Sequence, residues 1–154
     1  MRAAADLAGP PPEAGRGVGC GVYKSVSYGA VIADLALASD GSPVVRKLYC
    51  AHECGKIIDA DQVKAQCEGN MIWSLGMAFS DRLTLKAGAI EERSFVDAPI
   101  PSIVDAPEME IALIETDAPP TGPGETLMAA APAAIINGVT SLTGVTPSRL
   151  PLRT

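Results

Sequence analysis

A stiff turn followed by a long apolar segment constrains the fold of this chain more than any other feature. Residues 119–125 read Pro-Pro-Thr-Gly-Pro-Gly-Glu, and a mostly apolar, helix-forming stretch runs from Leu127 to Leu142. Proline fixes φ and glycine can take a positive φ, so such a turn can hold one carboxylate, Glu125, in a fixed place. Almost no other charge lies nearby. Two interpretations are open: Glu125 caps the helix start, or it performs chemistry.

A second principal helix is predicted from side-chain spacing. Apolar residues recur every four positions along one stripe: Val63, Cys67, Met71, Leu75 and Phe79. Asp59 and Gln62 form a capping-box pair at its start. Gly69 and Gly76 each cost about 1 kcal/mol in a helix interior, which predicts close approach of a neighbouring backbone. A polar series lies on another side of the same helix: Gln62, Gln66, Asn70 and Ser74.

The remaining pattern predicts short strands interleaved with these helices, and therefore an α+β or α/β class, of which we favour α+β with mixed strands. Predicted strands occupy 17–23, 31–38, 43–49, 83–85, 89–91 and 108–115. Asp40-Gly41 indicates a hairpin, and a Pro-rich crossing at 98–107 is expected on the surface. Pro132 suits the first turn of the last helix, which Gly144 ends. Residues 1–16 are predicted to be a helix stub and Pro-rich linker, and residues 17–154 one domain.

Composition excludes several classes of function. The 154 residues suit one globular domain, and a net charge of −6 with scattered basic residues argues against a nucleic-acid groove. No apolar run approaches the ~20 residues of a membrane span, and the N-terminus has no apolar export segment. Four cysteines fit a reducing compartment, so the cytoplasm is the default expectation. Few aromatic residues predict close helix–sheet contacts, or burial against something absent.

The run Cys-Ala-His-Glu-Cys at 50–54 is a possible metal ligand set. In an extended chain Cys50, His52 and Cys54 would share one face. Zinc sites, however, favour a second pair of ligands elsewhere, and only Cys67 is available nearby. We therefore expect no metal ligands here and favour a structural strand-to-turn segment.

Several segments in a fixed order resemble one enzyme family. They are 50–59 (Cys-Ala-His-Glu-Cys-Gly-Lys-Ile-Ile-Asp), 61–69, 73–78, 94–99, 106–111 and the 119–125 turn. Together they resemble the C-terminal part of the molybdopterin-binding large subunit of the xanthine dehydrogenase / aldehyde oxidase family, most closely the bacterial isoquinoline 1-oxidoreductase type. The resemblance runs from about Leu7 to the C-terminus. It implies a partial molybdopterin-binding domain.

The resemblance also implies a reaction and its residues. Glu125 matches the family's catalytic glutamate, the base in hydroxylation of an N-heterocycle or aldehyde with oxygen from water. Gln66, in Gln-x-Glu-Gly, matches an amide that contacts the molybdenum cofactor, and Gly124 is expected to be a second cofactor-binding residue. The alternative for Gln66 is a solvated helix residue. Expected partners are the remainder of the subunit, an iron–sulfur small subunit, and the small-molecule substrate.

Departures from the family pattern bear on substrate preference. Thr126 stands where proline is usual, Ala98 where tyrosine is common, and Cys67 where an aliphatic residue or methionine is usual. Our first hypothesis is a piece of a molybdenum hydroxylase that is inactive alone. The alternatives are a non-catalytic binding or assembly module and, third, a small zinc protein. Because larger relatives can carry an upstream export signal, a periplasmic location is also open.

Overall fold

The computed structural model describes residues 1–152, whose elements follow the predicted interleaving of strands and helices. The elements are α1 Arg2–Ala8, β1 Arg16–Tyr23, β2 Ser27–Leu37, β3 Pro43–Glu53, α2 Ala60–Phe79, β4 Leu85–Lys86, β5 Ala89–Ile90, a 3-10 turn Ile103–Asp105, β6 Glu108–Ile114 and α3 Leu127–Thr143. The predicted α+β class with two principal helices, α2 and α3, is confirmed.

One mixed sheet of four strands organises the domain. Its order is β1-β2-β3-β6, with β1, β2 and β3 antiparallel and β6 parallel to β3. The predicted hairpin is present, since the Ala38 N–H donates to the Ser42 carbonyl and Asp40 accepts from Ser42. Strands β2 and β3 extend beyond the predicted apolar runs, because their pairing continues to Tyr28 opposite Glu53. The ends of β1, β3 and β6 therefore meet the start of β2 at one edge.

Helices cover both faces of the sheet. On one face, α3 lies on β1 and β2, and α2 packs beside α3 and β6. The apolar stripe predicted on α2 is buried in this layer. On the other face, Ala4 and Ala8 of α1 pack with Ala30, Ile32 and Ala51. The sheet is thus an inner layer, which explains why the central residues 29–33 of β2 are all buried.

Glycines on β1 set the distance between the sheet and α3. A Cβ built on Gly17 would lie 2.0 Å from the Ala134 carbonyl oxygen, and one on Gly19 would lie 2.0 Å from that of Ala130. Both contacts are with backbone, so no side-chain rotation could relieve them. The close helix–sheet contact expected from the few aromatic residues is therefore present.

Asp59 caps α2 as predicted, but within residues 1–152 the Gln62 side chain does not complete the predicted capping box, and one glycine of the helix also departs from expectation. Asp59 is the N-cap, and its carboxylate accepts from the Asp61 and Gln62 N–H groups. A Cβ on Gly76 would lie 2.7 Å from an Asp81 carboxylate oxygen, so space there is tight, although the neighbour is a side chain and not backbone. The expectation for Gly69 is wrong: nothing lies within 4 Å of its Cβ position. Gly69 faces open space in this chain.

The last helix begins earlier than its proline suggested. Because α3 starts at Leu127, Pro132 lies inside the helix and not in the first turn as predicted. Proline has no N–H, so the carbonyl of Met128, four residues earlier, lacks its usual helical donor. Ile135 and Val139 are buried and Leu142 is half-buried, and Gly144 ends the helix in the left-handed conformation, with φ 71°.

An exposed arm connects α2 to β6. The predicted short hairpin is present as β4 and β5, and the Pro-rich crossing follows it along the surface. Several large apolar side chains of the arm are exposed: Leu83, Leu85, Phe95, Val96, Ile100, Ile103 and Val104. Within residues 1–152, no helix is long and apolar enough to cross a membrane.

Candidate functional site

The Gly-Pro-Gly-Glu turn is attached to the edge of the sheet where β3 ends. The Thr121 N–H and hydroxyl both donate to the Cys54 carbonyl, at 2.8 and 3.0 Å. The hydroxyl also lies 3.3 Å from the Val26 carbonyl, just before β2. Thr121 therefore fixes the entry to the turn between two neighbouring strands.

The segment before the turn, residues 116–119, contacts a second turn that follows β3 at Gly55. One carboxylate oxygen of Glu53 accepts from the Gly55 N–H at 2.7 Å and from the Thr116 hydroxyl at 2.9 Å. Gly55 has φ +78°, and a Cβ there would lie 2.2 Å from the Pro119 carbonyl oxygen. Glycine is thus required at this approach.

Thr126 fixes the exit from the turn. Its buried hydroxyl lies 2.7 Å from that of Ser27, which in turn donates to the Glu53 carbonyl. The backbone of Thr126 has φ −58° and ψ −40°. This φ is one that proline can also adopt.

Asn70 joins the turn to α2. Its amide nitrogen donates to the Gly124 carbonyl and to the Gln66 carbonyl, both at 2.7 Å. The side chain is only 5% exposed, and its oxygen is buried without a hydrogen-bond partner in residues 1–152. Asn70 belongs to the polar series predicted on α2, where no role was assigned to it. The sequence feature that could have indicated its role is its place in that series, four residues after Gln66.

The structure brings together the three residues predicted to form the site. Gln66 projects from α2 beside the turn, with its side-chain oxygen 3.7 Å from the Cβ position of Gly124. Glu125 follows directly and is exposed, as is Gln66. Within residues 1–152 no hydrogen bond or ion pair engages the Glu125 carboxylate, and Thr126, not Glu125, is the N-cap of α3. The carboxylate is therefore free to face a ligand and is not the helix cap.

The cysteine and histidine cluster lies beneath this surface, in the core. Cys50 and Cys67 are fully buried, and the neighbouring Cys67 thiol together with burial raises the pKa of the Cys50 thiol. Burial also raises the pKa of Cys54. His52 is 1% exposed with both ring nitrogens unpaired within the described chain, and burial lowers its pKa while the charge of Glu53 opposes that shift. All three cysteines are free thiols.

Metal binding finds no support in the geometry of this cluster. In residues 1–152 no group of three or more His, Cys, Asp or Glu side chains is placed to hold a metal ion. The run 50–54 forms the end of β3 and the turn after it. It packs the core and, through Glu53, supports the segment that leads to Glu125.

The fold places the exposed residues Gln66, Gly122, Gly124 and Glu125 together where β3 and the turn after it meet α2. The model of the molybdopterin cofactor-binding domain family matches residues 8–107. Because this match covers more than half of the chain, the protein belongs to that family. Its cofactor is accordingly the molybdopterin-type molybdenum cofactor, as the resemblance implied.

Two curated relatives are subunits of an isoquinoline 1-oxidoreductase and of a nicotine 6-hydroxylase. The chain is 30% identical over 115 residues to the isoquinoline 1-oxidoreductase subunit beta of Brevundimonas diminuta, a match covering 75% of this chain and 15% of that subunit. It is 35% identical over 101 residues to the nicotine 6-hydroxylase large subunit of Paenarthrobacter nicotinovorans, covering 62% and 12%. The chain thus spans about one seventh of the length of these relatives.

Solved structures share the fold. The quinoline 2-oxidoreductase of Pseudomonas putida 86 matches with a TM-score of 0.77 at 24% identity, covering 82% of this chain and 17% of that one. The aldehyde oxidoreductase of Desulfovibrio desulfuricans matches with a TM-score of 0.72 at 31% identity, covering 82% and 14%.

The residues at the edge fit a cofactor of this kind. Gln66 offers an amide that both donates and accepts, as a polar pterin requires. Gly69, one turn along α2 from Gln66, has nothing within 4 Å of its Cβ position, and neither has Gly122. A helix-interior glycine facing empty space costs stability without a compensating contact in this chain. The glycine backbone near the Gln66 amide and the Glu125 carboxylate therefore leaves room for a large polar group.

Proposed function

We propose that this chain is the part of a molybdenum hydroxylase subunit that supplies the catalytic base, Glu125. The observation that supports the proposal is a free carboxylate held beside Gln66 on the edge that fits the cofactor. The substrate class is an N-heterocycle or an aldehyde, in keeping with the similarity to an isoquinoline oxidoreductase, a nicotine hydroxylase and an aldehyde oxidoreductase. When bound, the cofactor supplies the redox chemistry, and water supplies the oxygen of the product.

In this proposal the chain's own groups position and deprotonate. The Glu125 carboxylate accepts a proton as the nucleophile forms. Its place is set by Thr121 before the turn, Thr126 after it, and Asn70 at Gly124. The Gln66 side-chain amide and the bare backbone at Gly124 contact the cofactor. Since much of the enclosure must come from elsewhere in the subunit, we expect the isolated chain to show no turnover, and the remainder of the subunit and an iron–sulfur subunit are its proposed partners.

Replacing Glu125 by glutamine in the complete enzyme tests the catalytic role. The amide keeps the shape but cannot accept the proton, so activity per bound molybdenum should fall by about 10²–10⁴-fold. Molybdenum content and melting temperature should stay nearly constant, because the carboxylate makes no hydrogen bond within residues 1–152. Glu13→Gln makes the same charge change in the exposed linker before β1 and is the matched control. Full activity in Glu125→Gln would refute the assignment.

Cofactor contact by Gln66 is tested by cofactor content. Gln66→Ala should lower the molybdenum and pterin retained by the purified enzyme, because it removes both a donor and an acceptor. Gln62→Ala is the control, since Gln62 is also exposed and lies one turn earlier on the same helix. Equal retention in both variants would assign Gln66 to the solvated surface. If the wild-type enzyme holds no molybdenum at all, a non-catalytic module becomes the better proposal.

A further inference from the structure

Asn70 makes a contact that core packing alone does not explain. Its amide nitrogen donates to two carbonyls, one in its own helix at Gln66 and one across a gap at Gly124, both at 2.7 Å. Because both partners can only accept, the orientation of the amide is determined: the nitrogen must face them. Its oxygen is left buried and without a partner in the described chain. A buried acceptor without a donor costs free energy, which an apolar residue would avoid.

The two carbonyls belong to the two halves of the proposed site. One is the carbonyl of Gln66, whose side chain is the proposed cofactor contact. The other is the carbonyl of Gly124, directly before Glu125. Within residues 1–152, the Asn70–Gly124 bond is the only hydrogen bond between α2 and residues 121–126. The hydrogen bonds of Thr121 and Thr126 instead connect the turn to the ends of the strands, at Cys54 and Ser27.

We infer that Asn70 is a positioning residue that holds the Glu125 turn at a fixed distance from Gln66. This inference rests on the function proposed above. Because the Asn70 amide donates to both backbones, it fixes the position of Glu125 relative to Gln66. Without it, the turn would remain tied to the sheet at Thr121 and Thr126 while its centre could move away from α2. Small displacements of a catalytic group lower the rate strongly, since a shift of about 1 Å can cost ~10²-fold.

A neighbouring residue provides the control. Ser74 lies one turn further along α2, is fully buried, and donates at 2.7 Å to the Asn70 carbonyl. Ser74→Ala therefore removes a buried polar contact within the helix and leaves the turn untouched. Asn70→Ala removes both donor contacts. Asn70→Asp keeps the volume but replaces the donor with oxygen that the two carbonyls repel.

The first measurement is cleavage by a glutamate-specific protease on the full 154-residue chain. The rate of cutting after Glu125 is compared, by mass spectrometry, with cutting after the exposed Glu91 beside the β4–β5 hairpin. Loss of the amide contacts should raise this ratio by about 5–30-fold in Asn70→Ala and in Asn70→Asp, because the turn opens locally. Ser74→Ala should leave the ratio near the wild-type value. If one Asn70 variant does not fold, the other still decides.

The second measurement separates positioning from general stability in the complete enzyme. Asn70→Ala should lower kcat by about 10–100-fold per bound molybdenum, with KM and molybdenum content nearly unchanged. A merely structural residue would lower the yield of loaded enzyme and leave kcat per molybdenum intact. A protease ratio in Asn70→Ala no higher than that of Ser74→Ala overturns the inference. That ratio needs no activity, so a failure of Glu125 as the base would appear separately, in the Glu125→Gln assay.

Discussion

Substitution of Gly19 by alanine should displace α3 and with it the Glu125 turn. The added Cβ would lie 2.0 Å from the Ala130 carbonyl oxygen and 2.8 Å from the Ala134 nitrogen, both backbone atoms of α3. To restore ordinary contact at 3.4 Å, the helix must move by roughly 1.4 Å. Overpacking of this kind costs about 1–3 kcal/mol, and the absence of any movable side chain places Gly19 at the upper end.

The assay is thermal unfolding of the chain followed by circular dichroism. A loss of about 3 kcal/mol corresponds to a melting temperature lower by roughly 6–12 °C for a domain of this size. Because α3 begins directly after the turn, the complete enzyme should also lose activity per molybdenum, by up to about 10²-fold if the carboxylate shifts by 1 Å. Both effects follow from one displacement, so they should appear together.

Gly69→Ala is the matched control with the opposite expected sign. Nothing lies within 4 Å of its Cβ position, and it sits inside α2. Alanine there should stabilise the isolated chain by about 0.4–1 kcal/mol, because it reduces the freedom of the unfolded state. Under the proposed function the same methyl faces the cofactor and should lower molybdenum retention. If Gly19→Ala melts within about 1 °C of the wild type, the close-contact reasoning is wrong.

Three further predictions concern the core and the surface. Burial lowers the pKa of His52, so below pH ~6.5 the unfolded state binds more protons than the folded state, and the free energy of unfolding should fall as the pH drops through this range. Between pH 7 and pH 5.5, the free energy of unfolding should therefore fall less in His52→Leu than in the wild type. Thr126→Val should lower the free energy of unfolding by about 1–2 kcal/mol, because the buried Ser27 hydroxyl loses one hydrogen-bond partner. In a double-mutant cycle of urea unfolding, the double variant with Ser27→Ala should lose clearly less stability than the sum of the two single variants. The apolar arm should make the isolated chain self-associate, and a monodisperse monomer without dye-detectable apolar surface would contradict this.

Local patterns predicted the elements well because their causes are local. The four-residue stripe of α2 follows from the helical repeat, and Asp59 caps it with its own side chain. The hairpin at Asp40-Gly41 follows from turn chemistry. The prediction that Pro132 lies in the first turn was wrong, because the helix-forming residues from Leu127 onward outweigh the preference of one proline.

The candidate site could be predicted only in part. The stiff turn singled out Glu125, and the resemblance assigned roles to Gln66, Gly124 and Glu125; the structure places the three together, and their roles stay predictions. Asn70 was missed because its partner, the Gly124 carbonyl, lies 54 residues away and belongs to the backbone, which leaves no mark in the sequence. The expectation of tight surroundings at Gly69 was wrong for a related reason: a glycine shows that space is needed, not what fills it.

By itself, then, the sequence determined the helices, the strands and the stiffness of the Glu125 turn, because these depend on residues close together in the chain. Only the tertiary structure decided that the glycines of β1 meet the backbone of α3, and that Asn70 couples α2 to the turn. It also decided that Cys50, His52 and Cys54 pack the end of β3 and the turn after it. The physical reason is that burial and hydrogen bonding between distant segments depend on how the sheet and helices stack, and side-chain spacing along the chain does not encode that arrangement.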